Sequence, residues 1–315
     1  MRLIKSFFLV VIIPLIAAGQ LNDEFKKVGS TGFAFLEIPA SARLASLGEA
    51  GITLHNLGAE SMFINPGLLG FTDRRHTIYF SMAEWLVETQ HQSFAYALNL
   101  GNVGVVGLSV TYLDMGTMQG TQFADPENPG SYILTEKFSA DAFAAGITFA
   151  RRMTSQFSFG GTIKYVQERI HDYSADNVIY DVGILYFTGF RSLRVGGSVQ
   201  NFGVETAFIG DNFKMPITFR LGLAMEALGT YDSPNRLTVI AENVHPSNND
   251  VRYHFGLEYI WMDMFMVRGG YKFNYDEENF TGGLGISYTG ITIDVSYTEF
   301  GRLGSVVRFS LGARL

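Results

Sequence analysis

The sequence contains no cysteine, few charged residues and, after its first twenty residues, no long hydrophobic run. The absence of cysteine excludes a disulfide framework, a thiolate metal site, an acylated N-terminal cysteine and a thiol enzyme. Charged residues make up 17% of the chain, and the net charge of −7 comes without any basic patch that would bind nucleic acid. No stretch after the first twenty residues approaches the roughly 20 apolar residues of a membrane helix.

The first nineteen residues have the pattern of a cleaved export signal. Arg2 and Lys5 precede an apolar run at residues 7–16, and the small residues 17–19 follow it. The run is too short for a comfortable membrane span and contains Pro14, which disfavours an uncleaved anchor. We therefore expect residues 1–19 to be a signal peptide.

The rest of the chain alternates apolar and polar residues. Residues 291–297 (ITIDVSY) and 307–315 (VRFSLGARL) place an apolar residue at almost every second position, the period of a strand whose faces meet different media. Composition alone, with 47% hydrophobic residues, is also compatible with a large soluble β-protein. The alternation recurs in segments of about ten residues to the end of the chain and favours an all-β, transmembrane antiparallel β-barrel.

The count of segments is about fourteen, with twelve or sixteen as alternatives because segment boundaries carry an error of two to four residues. We assign residues 20–74 to an N-terminal plug and 75–315 to the barrel. The predicted connections alternate in length, and the longer links include 169–176 and the longest one, 115–137. Outer-membrane barrels carry short turns in the periplasm and long loops outside, so we expect both chain termini on the periplasmic side.

Charged residues inside the strands indicate which face points inward. A Lys, Arg or Glu facing lipid at mid-bilayer depth costs a few kcal/mol, so these residues must face the lumen. Their mixed signs predict ion-paired packing and not an ion-selective pore. The lumen-facing set is Lys164, Glu168, Asp181, Arg220, Glu258, Arg268, Lys272, Asp294 and Arg308. Tyr and Trp near strand ends, including Trp85 and Trp261, fit aromatic girdles at the membrane interface.

The region before the barrel predicts a short helix followed by a turn. Residues 40–50 form a small-residue segment with Ser41 as a possible N-cap and Gly48 near its end. Asn65-Pro66-Gly67 is a turn signature. A fourteen-stranded barrel encloses more space than its own side chains fill, so this segment is expected inside the lumen as a helical plug. Arg43 would then need a carboxylate or backbone carbonyl partner, because an unpaired buried charge is costly.

Several segments together are similar to one family. Residues 29–50 (GSTGFAFLEIPASARLASLGEA), followed by Asn65-Pro66-Gly67-Leu68, closely resemble the opening of the PorV/PorQ family of FadL-like outer-membrane barrels. The resemblance continues through residues 112–116, 150–154, 161–165, 199–203, 270–278 and 308–312. In the FadL-like group the plug contains Asn-Pro-Ala, and this chain departs from that pattern with Gly67.

The resemblance implies an outer-membrane component of a type IX-like secretion and attachment machinery in a diderm bacterium. Its implied partners are the C-terminal domain of a secreted cargo, a surface sortase or a translocon protein, besides outer-membrane lipid. The alternative is a FadL-type transporter for hydrophobic small molecules. The plug residues implied by the family are Arg43, Gly48, Asn65 and Pro66.

The longest predicted link and its neighbour 203–214 carry apolar side chains that a purely solvated loop does not need. We expect them either to contact a partner protein or to cap the barrel mouth. They are Met115, Met118, Phe123, Tyr132, Phe208 and Phe213.

The sequence offers little support for an enzyme. His171-Asp172 has no accompanying nucleophile motif, metal-spaced histidine cluster or phosphate loop, and Asp276-Glu277-Glu278 lacks the spaced ligands of a calcium loop. We therefore expect no catalytic residues, metal or cofactor.

Overall fold

The alternating segments form a closed barrel of fourteen antiparallel strands, which confirms the predicted fold class. The computed structural model describes residues 29–124 and 130–315, so the predicted signal peptide lies outside the described residues. The sheet closes where β1 pairs with β14. The strands are β1 (His76–Glu84), β2 (Gln90–Asn99), β3 (Val105–Phe123), β4 (Tyr132–Arg152), β5 (Phe157–Ile170), β6 (Tyr173–Phe187), β7 (Arg194–Phe202), β8 (Thr218–Leu228), β9 (Arg236–Pro246), β10 (Arg252–Trp261), β11 (Phe265–Phe273), β12 (Phe280–Tyr288), β13 (Ile291–Glu299) and β14 (Ser305–Arg314).

Each strand buries one face and exposes the other. In β6 the two classes alternate over most of its length. The outward positions are large and apolar, which gives the barrel a hydrophobic outer surface. In β4 the inward positions between residues 140 and 150 are Ala, Gly or Thr, and this shallow face packs against the plug.

Two of the predicted loops are wrong. The link 115–137 is mostly strand, because β3 and β4 remain paired as a hairpin out to Phe123 and Tyr132. Register shifts beside Gly116 and Gly120 interrupt the alternation of inward and outward residues in this hairpin. The sequence therefore shows no clear strand pattern there. The link predicted at 169–176 is a two-residue turn between β5 and β6, with His171 at a φ of +56°.

The two ends of the barrel differ in their connections. One end, here called the turn end, carries the connection between β2 and β3, every second connection after it, and the C-terminus. The opposite end, here called the loop end, carries the β3–β4 hairpin tip and the 203–217 connection. Within the described residues no helix has the length and apolar character needed to cross a membrane.

The segment before β1 fills the lumen and is here called the plug (residues 29–75). It contains an α-helix (Ala42–Ser46) and three 3-10 helices (Ala34–Glu37, Gly58–Phe63 and Pro66–Phe71). The Ser41 hydroxyl caps the α-helix by accepting a hydrogen bond from the Leu44 N–H at 3.1 Å. The α-helix packs on β11–β14, the second 3-10 helix on β1–β3 and the third on β4–β6. The predicted location of residues 40–70 in the lumen is confirmed.

The plug runs through the lumen from the loop end to the turn end. Near its start, the Gly32 N–H donates to the Lys214 carbonyl in the 203–217 connection at 3.2 Å. Near its end, Asn99 Nδ2 donates to the Thr72 carbonyl at the foot of β2, at 2.6 Å. The first described residues therefore lie at the loop end and the C-terminus at the turn end, whereas the N-terminus, which we expected on the same side as the C-terminus, lies outside the described residues. An even number of strands places only the start of β1 and the end of β14 at the same end of the barrel. The plug precedes β1 and crosses the barrel once more.

The absence of cysteine gives a direct test of this path. In intact cells a membrane-impermeant maleimide should label Ser30→Cys, because Ser30 is exposed at the loop end, which faces outward in bacterial barrels. The exposed Arg74, at the turn end, should become reactive as Arg74→Cys only after the outer membrane is permeabilised. Labelling of both variants only after permeabilisation would show that the plug does not reach the loop end.

Candidate functional site: the plug and the two cavities beside it

Arg43 of the plug helix is held by a carboxylate of the barrel wall, as predicted. Its Nε and Nη2 donate to Glu258 Oε2 and Oε1 at 2.9 and 2.7 Å, a bidentate pair in which Glu258 is buried. Glu258 also accepts from Arg268 Nε at 2.6 Å, and Arg268 Nη1 donates to Asp294 Oδ1 at 2.7 Å. The four charges form one chain from the plug helix across β10, β11 and β13.

A second charged cluster lies nearer the loop end. Lys272 Nζ donates to Glu49 Oε1 of the plug at 2.6 Å and also contacts Glu278. Arg220 donates to Glu242 at 2.9 Å, and Glu242 Oε2 accepts the Gly51 and Ile52 N–H groups at 3.0 and 3.2 Å. The wall therefore binds both a side chain and the backbone of the plug.

A third pair completes the attachment at the turn end. Arg194 donates to both carboxylate oxygens of Glu226 at 2.8 Å, and its Nε donates to the Thr53 carbonyl at 2.8 Å. Arg194, Glu226, Glu242 and the plug carboxylates were missed by the sequence reasoning. Glu242 could have been predicted to face the lumen, because it lies at an inward position of the β9 alternation. Glu49 and Glu60 lie in the plug, which has no regular alternation from which their positions could be predicted.

Asn65 of the turn signature fastens the plug to itself and to the wall. Its Oδ1 accepts from the Gly67 N–H at 2.9 Å. Its Nδ2 donates to the Ile52 carbonyl at 2.8 Å and to the Ile184 carbonyl of β6 at 3.0 Å. The buried amide thus uses both of its polar atoms. Pro66 occupies the first turn of the following 3-10 helix, where its missing N–H costs nothing.

Gly67 of the turn signature has a steric reason. A Cβ on Gly67 would lie 2.6 Å from the Gly183 carbonyl oxygen of β6. In turn, a Cβ on Gly183 would lie 1.9 Å from Asn65 Oδ1. Gly48 has a similar role after the plug helix, since its φ is +64° and a Cβ there would lie 3.0 Å from the Tyr271 nitrogen. Plug backbone and strand backbone therefore touch directly at these points.

Glu60 is a plug carboxylate whose burial outweighs its partners. It is 5% exposed and accepts a hydrogen bond from the Ser41 hydroxyl. Burial raises the pKa of Glu60 to about 7, against the opposing effects of Arg43 and of that hydrogen bond. The proton on Glu60 is therefore bound more tightly in the folded protein than in the unfolded chain.

A cavity of about 620 Å³ lies on the loop-end side of the plug and is here called the loop-end cavity. One wall is apolar, with Phe35, Leu36, Ile38, Trp85, Leu86, Leu113 and Met115. Other lining side chains are polar: Glu49, Glu168, Arg220, Arg252, Tyr275 and Glu278. Such a chamber suits a small, largely apolar molecule with a polar group at one side.

A second cavity of about 420 Å³ lies on the turn-end side and is here called the turn-end cavity. Its walls are strongly charged, with Arg43, Glu60, Arg194, Glu226, Glu258, Arg268, Asp294 and Arg314. The cavities thus differ in chemistry as well as position. The plug lies between them.

The residues expected on the outer loops fall into two groups. Met118, Phe123 and Tyr132 are exposed on the β3–β4 hairpin. Met115 lines the loop-end cavity, and Phe208 and Phe213 stack on each other.

The second group belongs to the wall of the mouth. The Phe213 ring lies 5.8 Å from the Phe33 ring of the plug. Trp85, expected in the membrane girdle, instead packs edge-on against Phe300 and lines the loop-end cavity. Among residues 29–124 and 130–315, no three His, Asp or Glu side chains are grouped to hold a metal ion.

The contact at Gly67 predicts that alanine substitution lowers the free energy of unfolding much more at Gly67 than at Gly269. Gly67→Ala should lower the free energy of unfolding by about 1–3 kcal/mol, because plug and β6 backbones must separate. Gly269→Ala is the control, since a Cβ there meets nothing within 4 Å. The measurement is urea unfolding of refolded protein in detergent. Equal effects of the two substitutions would contradict the direct backbone contact.

Glu60 predicts a pH-dependent stability. Its folded pKa of about 7 exceeds its ordinary value of 4.5, so its contribution is complete below about pH 4.5 and is lost as the pH rises through 7. Glu60→Gln cannot ionise and should flatten this part of the stability profile, measured by urea midpoint between pH 4 and 8. The same substitution at the exposed Glu299 is the control. An unchanged slope in Glu60→Gln would refute the assignment.

Comparison with known proteins identifies the fold and not the family. No family model and no curated protein matches the sequence. Among solved structures, the toluene transporter TbuX of Ralstonia pickettii superposes with a TM-score of 0.60 at 12% identity, over 88% of this chain and 98% of that one. The Pseudomonas putida toluene transporter TodX gives 0.59 at 12% identity, over 86% and 97%. A Pseudomonas aeruginosa FadL homologue gives 0.50 at 12%, over 85% and 97%. The chain therefore has the fold of the FadL-type outer-membrane barrels.

Proposed function

We propose that this protein is an outer-membrane channel through which small hydrophobic molecules enter a diderm bacterium. The loop-end cavity carries the proposal, because it joins an apolar wall to a few polar groups inside a plugged barrel. The fold likeness to transporters of toluene supports it. The apolar outer surface of the barrel and its short turns at one end support a location in the outer membrane.

The cavity has the position that an entry chamber needs. It lies at the loop end, which would face outward, and its floor is formed by plug residues from Phe35 to Leu44. A hydrophobic molecule would leave water there by contacting Leu36, Leu113 and Met115, at about 25 cal/mol per Å² of apolar surface buried. Passage through such a chamber requires only binding and release, with no covalent chemistry.

A leucine pair on one strand tests the proposal. Leu113 is 6% exposed and lines the cavity, whereas Leu108 of the same strand is 54% exposed and faces lipid. Leu113→Trp should fill the chamber and reduce uptake of radiolabelled toluene by cells several-fold, while Leu108→Trp should not. Both variants must be present in the outer membrane in equal amounts. Equal uptake by the two variants would contradict the role of the cavity.

The secretion role implied by the resemblance to the PorV/PorQ family is the second candidate. Its specific support is the β3–β4 hairpin, where Phe123, Tyr132 and Leu134 are 66–70% exposed. A purely solvated hairpin does not need three such side chains side by side, and a partner protein would cover them. The partners in this case would be a secreted cargo domain, a sortase or a translocon protein.

Shortening the hairpin separates the two candidates. Gln119 pairs with Lys137, so removing residues 120–136 and inserting a two-residue turn preserves the register below the cut. A secretion role predicts that co-purification of partner proteins is lost while the barrel still inserts. A transport role predicts unchanged toluene uptake. Lost uptake with retained partner proteins would contradict both assignments.

A further inference from the structure

The two ends of the barrel carry opposite exposed charges. Among the described residues, the exposed acidic side chains of the loop end are Glu84, Glu88, Asp114, Glu136, Asp172, Asp176, Glu205, Asp211, Asp250, Asp276 and Glu299. The exposed basic side chains there are Lys137, Arg169, Lys214 and Arg302. At the turn end the balance reverses between β1 and β7, where the exposed charges are Arg74, Arg75, Arg151, Arg152, Arg191 and Asp73. None of these five arginines forms an ion pair with another described residue.

Arg151 continues the lipid-facing column of β4. The outward positions of this strand are Ala145, Ile147 and Phe149, and Arg151 is the next position on the same face. At about 3.4 Å per residue, its Cα lies roughly 7 Å beyond that of Phe149 along the strand. Its guanidinium is therefore directed to the border of the apolar belt and not into the lumen.

Apolar side chains surround Arg151 at this border. Phe159 of β5 is its cross-strand neighbour and is 39% exposed. On the other side, the Phe149 ring packs against Gly104, since a Cβ added to Gly104 would lie 3.0 Å from the ring. The same turn also exposes Val103. A cation bordered by exposed apolar groups suits an amphiphile with an anionic head and a hydrocarbon tail.

The other arginines of the sector flank the same border. Arg152 follows directly, and the Arg75 carbonyl accepts from the Asn99 N–H at 2.9 Å, beside the β2–β3 turn. The β6–β7 turn that carries Arg191 contacts the β4–β5 turn, where the Gln156 carbonyl accepts from the Phe187 N–H at 2.8 Å. Arg75 before β1, Arg152 of β4 and Arg191 in the β6–β7 turn therefore lie along the turn end on both sides of Arg151.

We propose that this surface, centred on Arg151 and Arg152, binds the headgroup of an anionic phospholipid in the periplasmic leaflet. Arginine donors bind phosphate oxygens, and Phe149, Phe159 and Val103 contact the acyl chains. The position of Arg151 on the lipid-facing column favours a membrane lipid over a soluble acidic protein. The inference rests on the outer-membrane location proposed above and is independent of what the channel carries.

The test uses the whole protein in detergent micelles that contain equal amounts of phosphatidylglycerol and phosphatidylcholine. Native mass spectrometry measures the lipids that stay bound. The wild type should retain phosphatidylglycerol preferentially, and Arg151→Gln/Arg152→Gln should lose this preference by roughly tenfold or more. The control is Arg169→Gln/Arg302→Gln, which removes the same charge from exposed positions at the loop end.

The outcomes separate the proposal from its alternatives. A preference lost in the Arg151/Arg152 variant and kept in the control supports the lipid site. An equal loss in both variants would show that net charge alone attracts the lipid, and no preference in the wild type would also overturn the proposal. Resistance of each barrel to heat in mild detergent verifies folding. Toluene uptake is measured separately, so a failed transport proposal leaves this result unaffected.

Discussion

The pairing of buried charges inside the lumen is the constraint on which the structure depends. A barrel of fourteen strands cannot be filled by its own side chains, and the plug that fills it brings Arg43, Glu49 and Glu60 away from water. Most of the ionised groups there are paired with an opposite charge, because breaking one buried pair costs about 3–5 kcal/mol. The bidentate pair of Arg43 with Glu258 meets this requirement and also fixes where the plug helix lies. The buried Arg308 departs from the predicted ion pairing, since among the described residues its side chain hydrogen-bonds only with His91.

Small residues allow the plug and the barrel wall to approach closely enough for these ion pairs to form. The shallow inward face of β4 and the glycines opposite Asn65 bring plug and wall within direct backbone contact. Ion pairs at Glu49 and Arg43 and a hydrogen bond from Arg194 to the Thr53 carbonyl then attach the plug to the wall at three heights. The result divides the lumen into an amphipathic chamber at the loop end and a charged chamber at the turn end.

Much of this was predictable from the sequence, for identifiable reasons. A period of two forces the charged residues of a lipid-facing sheet inward, so the alternation alone places Lys272, Arg268 and Asp294 in the lumen. The sequence indicated that Arg43 needs a partner such as a carboxylate, but it did not indicate which one. Glu258 lies 215 positions away, and only the register of the barrel strands brings it close to Arg43. The hairpin at 115–137 was misjudged because bulges interrupt the alternation. The path of the plug was missed because strand parity carries no information about a segment inside the lumen.

A double-mutant cycle on Arg43 and Glu258 tests the central claim most directly. The free energy of unfolding is measured in urea for the wild type, Arg43→Met, Glu258→Gln and the double variant. If the pair fixes the plug to the wall, each single change is strongly destabilising and the double variant loses at least about 1 kcal/mol less than the sum of the two. Strictly additive losses would show that the two side chains do not act together, and would contradict a plug held in place by charge pairing.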